Sequence, residues 1–259
     1  MVHSMGQKGI KMNIVVFDTE TTSLDKPFVY NIGYVIGDTD GNVLLRRDFV
    51  VEQIWHNLPL FSTAYYAEKR SLYIESMRAR KTSLDKFGYI CQRMIRDFRE
   101  YSVERAFAYN SPFDEKVFDF NCDWFKCNNP FDNIPIVDIR GFAIKYLVDS
   151  MYKGFCDENE YFTDTGNYST TAEIMYRFIS GNKDFIEDHT ALSDSEIEFK
   201  ILLACLECGA DINEEITAKR SIEREVERTL HIKTAEQTDY YFAYNKIRIN
   251  KERTEITLK

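Results

Sequence analysis

The sequence predicts an α/β fold, a mixed five-stranded sheet with helices on both faces. Three observations carry that expectation. Ile14-Val15-Val16-Phe17 is a continuous apolar, β-branched run, the pattern of a strand buried on both faces. Asp40-Gly41 stands between two apolar alternations, which is a hairpin signal. Beyond residue 100, short apolar runs alternate with helical patterns. At 259 residues the chain is long enough for one large domain with a small appendage.

The elements follow in order. Residues 1–11 read as a disordered or tag-derived start: Met-Val-His-Ser-Met-Gly has the character of an expression scar, with Met5 or Met12 as a natural start. Residues 12–18 are the first strand, 31–36 the second, 37–41 a turn and 42–51 the third. Residues 59–101 read as mainly helical, with breaks near Arg80 and Gly88, and the aromatics Phe61, Tyr65, Tyr66 and Tyr73 as core. Residues 103–110 are the fourth strand. Ser111 suits a helix N-cap and Pro112 the first helical position, opening a helix over 112–124. Residues 134–139 are a short fifth strand leading into a helix through Val148. Residues 149–169 are polar, aromatic and irregular, a long loop placed to border a cleft. Helices follow over 170–179 and 197–208. The domain closes near residue 211. Residues 212–259 read as an extension: a charged helix over 212–230, then one or two strands within 240–258, locally basic through Lys246, Arg248, Lys251 and Arg253. That extension is expected to pack on the core, mediate assembly or guide nucleic acid.

Three short segments carry the chemistry. Asp18 and Glu20 lie two apart at the end of the first strand, so both point to one face. Carboxylates that close repel unless something neutralises them, and a divalent cation with hard oxygen ligands does so. Taken alone, the pair reads more readily as a solvated strand end with two unconnected acids. Asn110-Ser-Pro-Phe-Asp114 puts an acid at the third helical position, where capping taken alone is the better account than ligation, though one residue can do both. His189 and Asp194 are five apart, roughly 140° around a helix, so one continuous helix would not aim both at a point. His189 therefore belongs on the loop before the helix, with Asp194 in its first turns. A loop histidine suits a general base.

Together the three segments resemble one family, the DEDDh group of 3′–5′ exonucleases (DnaQ-like). The group includes the polymerase III proofreading exonuclease subunit, ribonuclease T, oligoribonuclease and phage exonucleases. Asp18 and Glu20 fall on its D-x-E, Asn110 and Phe113-Asp114 on its N-x-x-(F/Y)-D, and His189 and Asp194 on its H-x4-D. The sister group carries tyrosine where Thr190 stands, so the histidine form matches better. The motifs stand in the family's order within residues 12–209. The resemblance implies a ribonuclease-H-like exonuclease fold and release of nucleoside 5′-monophosphates from 3′ ends, with single-stranded DNA as the expected substrate. It implies two Mg2+ ions, with Mn2+ as a substitute. Asp18, Glu20 and Asp194 would hold the first ion. Asp18 would bridge to the second, supported by Asp114, while His189 deprotonates water. Thr19, Thr21, Thr22, Ser23 and Leu24 would meet the terminal nucleotide, with Leu24 as a wedge; Asn110 would orient the loop or contact phosphate, and Phe113 would join the substrate-binding residues. Single-stranded DNA or RNA 3′ ends are the implied partners, with a homo-oligomer or a polymerase as further ones. An exoribonuclease, or a binding scaffold on the same fold, is the alternative. A ribonuclease H or recombinase that cuts internally shares the carboxylate logic without a reason for the second and third motifs.

Composition fits these readings. The net charge is −9, from 33 basic and 42 acidic residues, unlike a protein that grips duplex along its length. The mildly basic Arg78-Ala-Arg-Lys81 stretch could help hold nucleic acid, but such runs are usually solvated. No apolar run is long enough to cross a membrane, and no membrane partner is expected. Six cysteines without disulfide-like density predict reduced structural thiols and a cytoplasmic location, that of a bacterial host if phage-encoded. Neither Cys205-x-x-Cys208 nor Cys122/Cys127 has the partners of a zinc site.

Overall fold

The computed structural model describes residues 11–214, 216 and 222, and the backbone of three C-terminal strands. It begins with an antiparallel meander of β1 (Asn13–Thr21), β2 (Val29–Asp38) and β3 (Val43–Val51). Two short helices, α1 (Glu52–Trp55) and α2 (Leu58–Phe61), lead through a 3₁₀ turn (Ala67–Lys69) to α3 (Arg70–Arg78) and strand β4 (Ser83–Asp85). Then come α4 (Phe87–Glu100), β5 (Arg105–Ala108), α5 (Pro112–Phe125), β6 (Ile136–Asp138) and α6 (Ile139–Tyr146). Helices α7 (Ser150–Asn159), α8 (Ala172–Ser180) and α9 (Ala191–Glu207) complete the domain. The sheet order is β4-β3-β2-β1-β5-β6. β5 runs parallel to β1, β6 to β5 and β4 to β3, so within this sheet β2 alone runs against the rest.

The alternation along β1 divides the core. Val15 and Phe17 join one cluster, with Ile90 and Met94 of α4 and Val117 and Phe118 of α5. Ile14 and Val16 join the other, with Phe142 of α6, Met175 of α8 and Leu202 of α9. All four β1 residues are fully buried. Each such side chain contributes about 1.5–3 kcal/mol. The apolar run is explained: both faces of β1 are covered by helices.

One contact sets the position of α9. A Cβ built on Gly33 of β2 would lie 2.0 Å from the Leu192 nitrogen and 2.2 Å from the Ala191 carbonyl carbon. Only a residue without a side chain lets the first turn of α9 lie on the β2 backbone. Ser195 Oγ donates to the Gly33 carbonyl at 3.1 Å. Asn31, also on β2, accepts the Ala191 N–H at 2.9 Å. It thereby satisfies a helix-end donor that the N-cap Thr190 leaves free.

Several expectations are corrected. The sheet has six strands rather than five, because β4 adds to the edge of β3. Three residues are too few for any periodicity to reveal. The break near Arg80 is present, with Arg80 in a left-handed conformation (φ 58°), and the break near Gly88 falls at Lys86, just before α4 begins at Phe87. Phe61 and Tyr73 are core, whereas Tyr65 is exposed and Tyr66 half-buried. The loop expected over 149–169 contains α7: the Asp149 carboxylate accepts the Met151 and Tyr152 N–H groups at 2.8 and 2.9 Å, an N-cap that starts the helix. Ser111 does not cap α5 with its side chain. It has helical dihedrals, and its hydroxyl donates to Glu115 at 3.0 Å.

The expected start, 1–11, lies outside the described residues except for Lys11. The charged helix expected over 212–230 lies largely outside them too. Its last three residues belong instead to strand β7 (Arg228–His231). Strands β8 (Ile247–Ile249) and β9 (Glu255–Leu258) fall within the strand region expected at 240–258, in a separate three-stranded sheet of order β7-β9-β8. Ile212, Ile216 and Ile222 pack against the second core cluster.

Candidate active site

β5 runs parallel to β1 with Phe107 opposite Val16, so the chain leaves β5 beside the stretch of β1 that carries Asp18. Asp18 and Glu20 continue the face of β1 that carries Ile14 and Val16, the face that α9 covers. The β1–β2 register shifts between Glu20 and Thr21, a bulge of the kind that re-aims side chains beside functional sites. Asp194 comes from the first turn of α9, held by the Gly33 contact. One oxygen from each of Asp18, Glu20 and Asp194 lies within 4.8 Å of the other two. Asp114 is buried at the third position of α5 and accepts the Thr19 hydroxyl at 2.6 Å. It is close enough to Asp18 for their charges to oppose each other.

The electrostatics are those of buried carboxylates crowded together, with the Lys69 charge only partly opposing the rise at Glu20. Burial pushes the Asp18 carboxyl up to about 7. Burial and then the charge of Asp18 push Glu20 up to about 9. The same two causes, in the same order, push Asp194 up to about 10 and Asp114 well above the carboxylate range. Oδ2 of Asp18 and Oδ1 of Asp194 are buried with no hydrogen-bond partner among the described residues. Buried polar atoms are rarely left so. A hard divalent cation fits these residues: the donors are all carboxylate oxygens, and it would satisfy both orphaned atoms.

His189 stands on the loop before α9, as expected, with a left-handed backbone (φ 51°). A ligand atom from each of Glu187, His189 and Asp194 lies within 4.8 Å of the others, so the histidine and Asp194 do aim at one region. Nδ1 of His189 is 3.5 Å from Glu187. The imidazole stacks on Tyr66, with centroids 4.5 Å apart and planes at 11°. Lys69 Nζ lies 4.2 Å from the centre of the Tyr66 ring and donates to the Asp188 carbonyl at 2.6 Å. Burial, then the Lys69 charge, lowers the His189 pKa from 6.5. The ring is thus neutral near pH 7.

The remaining expected residues divide. Leu24 is 76% exposed, and its carbonyl accepts from Lys116 Nζ of α5 at 3.0 Å. The Thr21 and Ser23 hydroxyls close their own turn, on Ser23 O and Lys26 O. Thr22 is buried, with its N–H on the Phe28 carbonyl. Thr19 spends its hydroxyl on Asp114. Asn110 adopts a left-handed conformation (φ 65°) and donates its N–H to Asp138 at 2.8 Å. Phe113 packs half-buried against the first core cluster.

Four residues were missed. Glu198 is buried behind the acids, where it accepts the Tyr109 N–H at 3.3 Å. Burial and then the charges of Asp18, Asp114 and Asp194 hold its carboxyl well above the usual range. It stands four residues after Asp194, so helical spacing carried a signal for it. Glu187, two residues before His189, was also legible. Tyr66 and Lys69 reach the site from a distant segment, and nothing local in the sequence announces them.

Neither a scan of protein-family models nor a search of curated proteins returns a match for this sequence. Solved structures do match. The nuclease domain of 3′hExo, a DEDDh family member solved with rAMP bound, aligns at 13% identity with a TM-score of 0.50, covering 81% of this chain and 100% of that one. E. coli exonuclease I in complex with a dA16 oligonucleotide aligns at 15% identity with a TM-score of 0.46. That alignment covers 74% of this chain and 40% of exonuclease I. The fold is thus the ribonuclease-H-like fold of exonucleases, with one more strand than expected.

Proposed function

We propose that this chain is a metal-dependent 3′–5′ exonuclease that releases nucleoside 5′-monophosphates from the 3′ end of single-stranded DNA. The observation that carries the reading is the convergence of Asp18, Glu20 and Asp194 within 4.8 Å, with His189 against Asp194. Burying this many carboxylates is destabilising by itself, and a binding scaffold would have no use for them.

Asp18, Glu20 and Asp194 would hold one divalent cation, Mg2+ or Mn2+, and Asp18 with Asp114 a second. Such a pair supplies charge stabilisation to the attacking and leaving oxygens of an in-line displacement. The Thr19 hydroxyl fixes the Asp114 rotamer. Glu187 faces Nδ1 of His189 and leaves Nε2 to accept the proton of the attacking water. A neutral imidazole is the form that can do so. The Tyr66 stack and the Lys69–Asp188 bond restrain the loop that presents it. Leu24, exposed on a turn tied to α5, meets the terminal base. A terminal 3′-phosphate would bring charge to a site already crowded with acids.

The test measures initial rates on linear, circular and 3′-phosphorylated single strands, with Mg2+ or with chelator. Mononucleotide release from the linear strand alone, and with cation only, is the expected result. RNA degraded in preference to DNA would reassign the substrate. Equal cleavage of circular strands would make the enzyme an endonuclease.

A further inference from the structure

Away from the carboxylates, three cysteines meet where α4 packs on the end of α5. One sulfur from each of Cys91, Cys122 and Cys127 lies within 4.8 Å of the other two, and the Cys91 and Cys127 sulfurs are 3.9 Å apart. Local structure explains the meeting. Lys126 ends α5 in a left-handed conformation (φ 54°), and the Cys127 N–H returns to the Cys122 carbonyl at 3.1 Å. That turn folds Cys127 back over the helix end. On the facing helix, a Cβ at Gly88 would lie 3.7 Å from the Cys127 Cβ, so Cys127 rests on the bare surface one turn before Cys91. Cys91 and Cys122 are buried, while Cys127 is half-buried.

Around a cation with metal–sulfur bonds of about 2.3 Å, trigonal or tetrahedral geometry separates the sulfurs by about 3.8–4.0 Å. The Cys91–Cys127 separation already has that value, and the third sulfur needs little adjustment. We propose that Cys91, Cys122 and Cys127 form a thiophilic metal site that binds a zinc-class divalent cation as three thiolates, with water in the fourth position on the Cys127 side. Each thiol gives its proton to solvent on binding, so the site carries a single net negative charge. A monovalent copper ion would leave two, which is harder to hold beside an apolar core. Soft sulfur donors separate this site from the hard oxygen site, and the inference does not depend on the nuclease reading.

The experiment titrates the reduced, chelator-treated full chain with Co2+ under anaerobic conditions. The readout is the sulfur-to-cobalt charge-transfer absorption, which a carboxylate-bound ion lacks. The expected result is saturation at one Co2+ per chain, bleaching by one equivalent of Zn2+, and an at least tenfold loss of affinity in Cys127→Ser and Cys122→Ser. Zn2+ should also slow iodoacetamide alkylation of all three cysteines in the unmodified protein, a measurement that stands even if Cys122→Ser fails to fold. Absence of the band at one equivalent, its persistence in Cys127→Ser, or alkylation rates indifferent to Zn2+ would overturn the proposal.

Discussion

Gly33→Ala should separate the positioning of the site from the stability of the fold. The added methyl would start 2.0 Å from the Leu192 nitrogen, and ordinary contact begins at 3.4 Å. The first turn of α9 must therefore retreat by about 1.4 Å, the difference between those two distances. The atoms in the way are backbone, so no rotamer change relieves the clash. The Ala191–Asn31 hydrogen bond, now 2.9 Å, would stretch beyond bonding range. Asp194 would withdraw from Asp18 and Glu20 by a similar amount. A misplacement of ~1 Å typically lowers turnover ~10²-fold, while overpacking costs about 1–3 kcal/mol of stability. The assay compares mononucleotide release and its Mg2+ dependence at a temperature where circular dichroism reports a folded variant. Gly154→Ala on α7 is the control: among the described residues nothing lies within 4 Å of its added methyl, so it should leave activity intact. Wild-type turnover in folded Gly33→Ala would refute the idea that this contact sets the site.

Other outcomes follow from the same geometry. Asp18 holds its proton up to about pH 7 in the fold, against an ordinary 3.8. The folded state therefore binds more protons than the unfolded chain above pH ~4, and stability falls as pH rises. For Asp18 alone the ceiling is about 4 kcal/mol, with Glu20 and Asp194 extending the fall toward pH 9–10. The melting temperature in chelator should drop between pH 5 and 9, and Mg2+ should flatten the drop; a rise with pH in chelator would contradict this. Tyr66→Ala should lower turnover and leave Mg2+ affinity unchanged, because it frees the His189 ring without touching a carboxylate; unchanged turnover would make the stack incidental. His189→Ala should lower turnover by ~10²–10⁴ and remove the acid limb of the pH–rate profile. A profile identical to wild type would take the base role from His189.

Much of the fold and site was legible because it is local. β1 declared itself by a continuous apolar run, and Asp18 and Glu20 by strand periodicity. The five-residue spacing of His189 and Asp194 required the histidine to leave the helix, and it does. What escaped depends on distant contacts or on very short elements. β4 has three residues and exists only as an addition to β3. Tyr66 read as core because its role is set by a loop more than a hundred residues later. The cysteine cluster escaped because Cys91 stands on another helix, brought in by packing of α4 on α5. Helix α7 carries a local signal of its own, since Asp149 before Ser150 is an ordinary cap.

The central claim is tested most directly by the first product from a 3′-end-labelled single-stranded DNA, comparing the wild type with Asp18→Ala in Mg2+ and in chelator. The account predicts labelled nucleoside 5′-monophosphate from the wild type with Mg2+ alone, and none from Asp18→Ala under either condition. Labelled internal fragments as the first product, or mononucleotide released by Asp18→Ala with contaminating nuclease excluded, would contradict it.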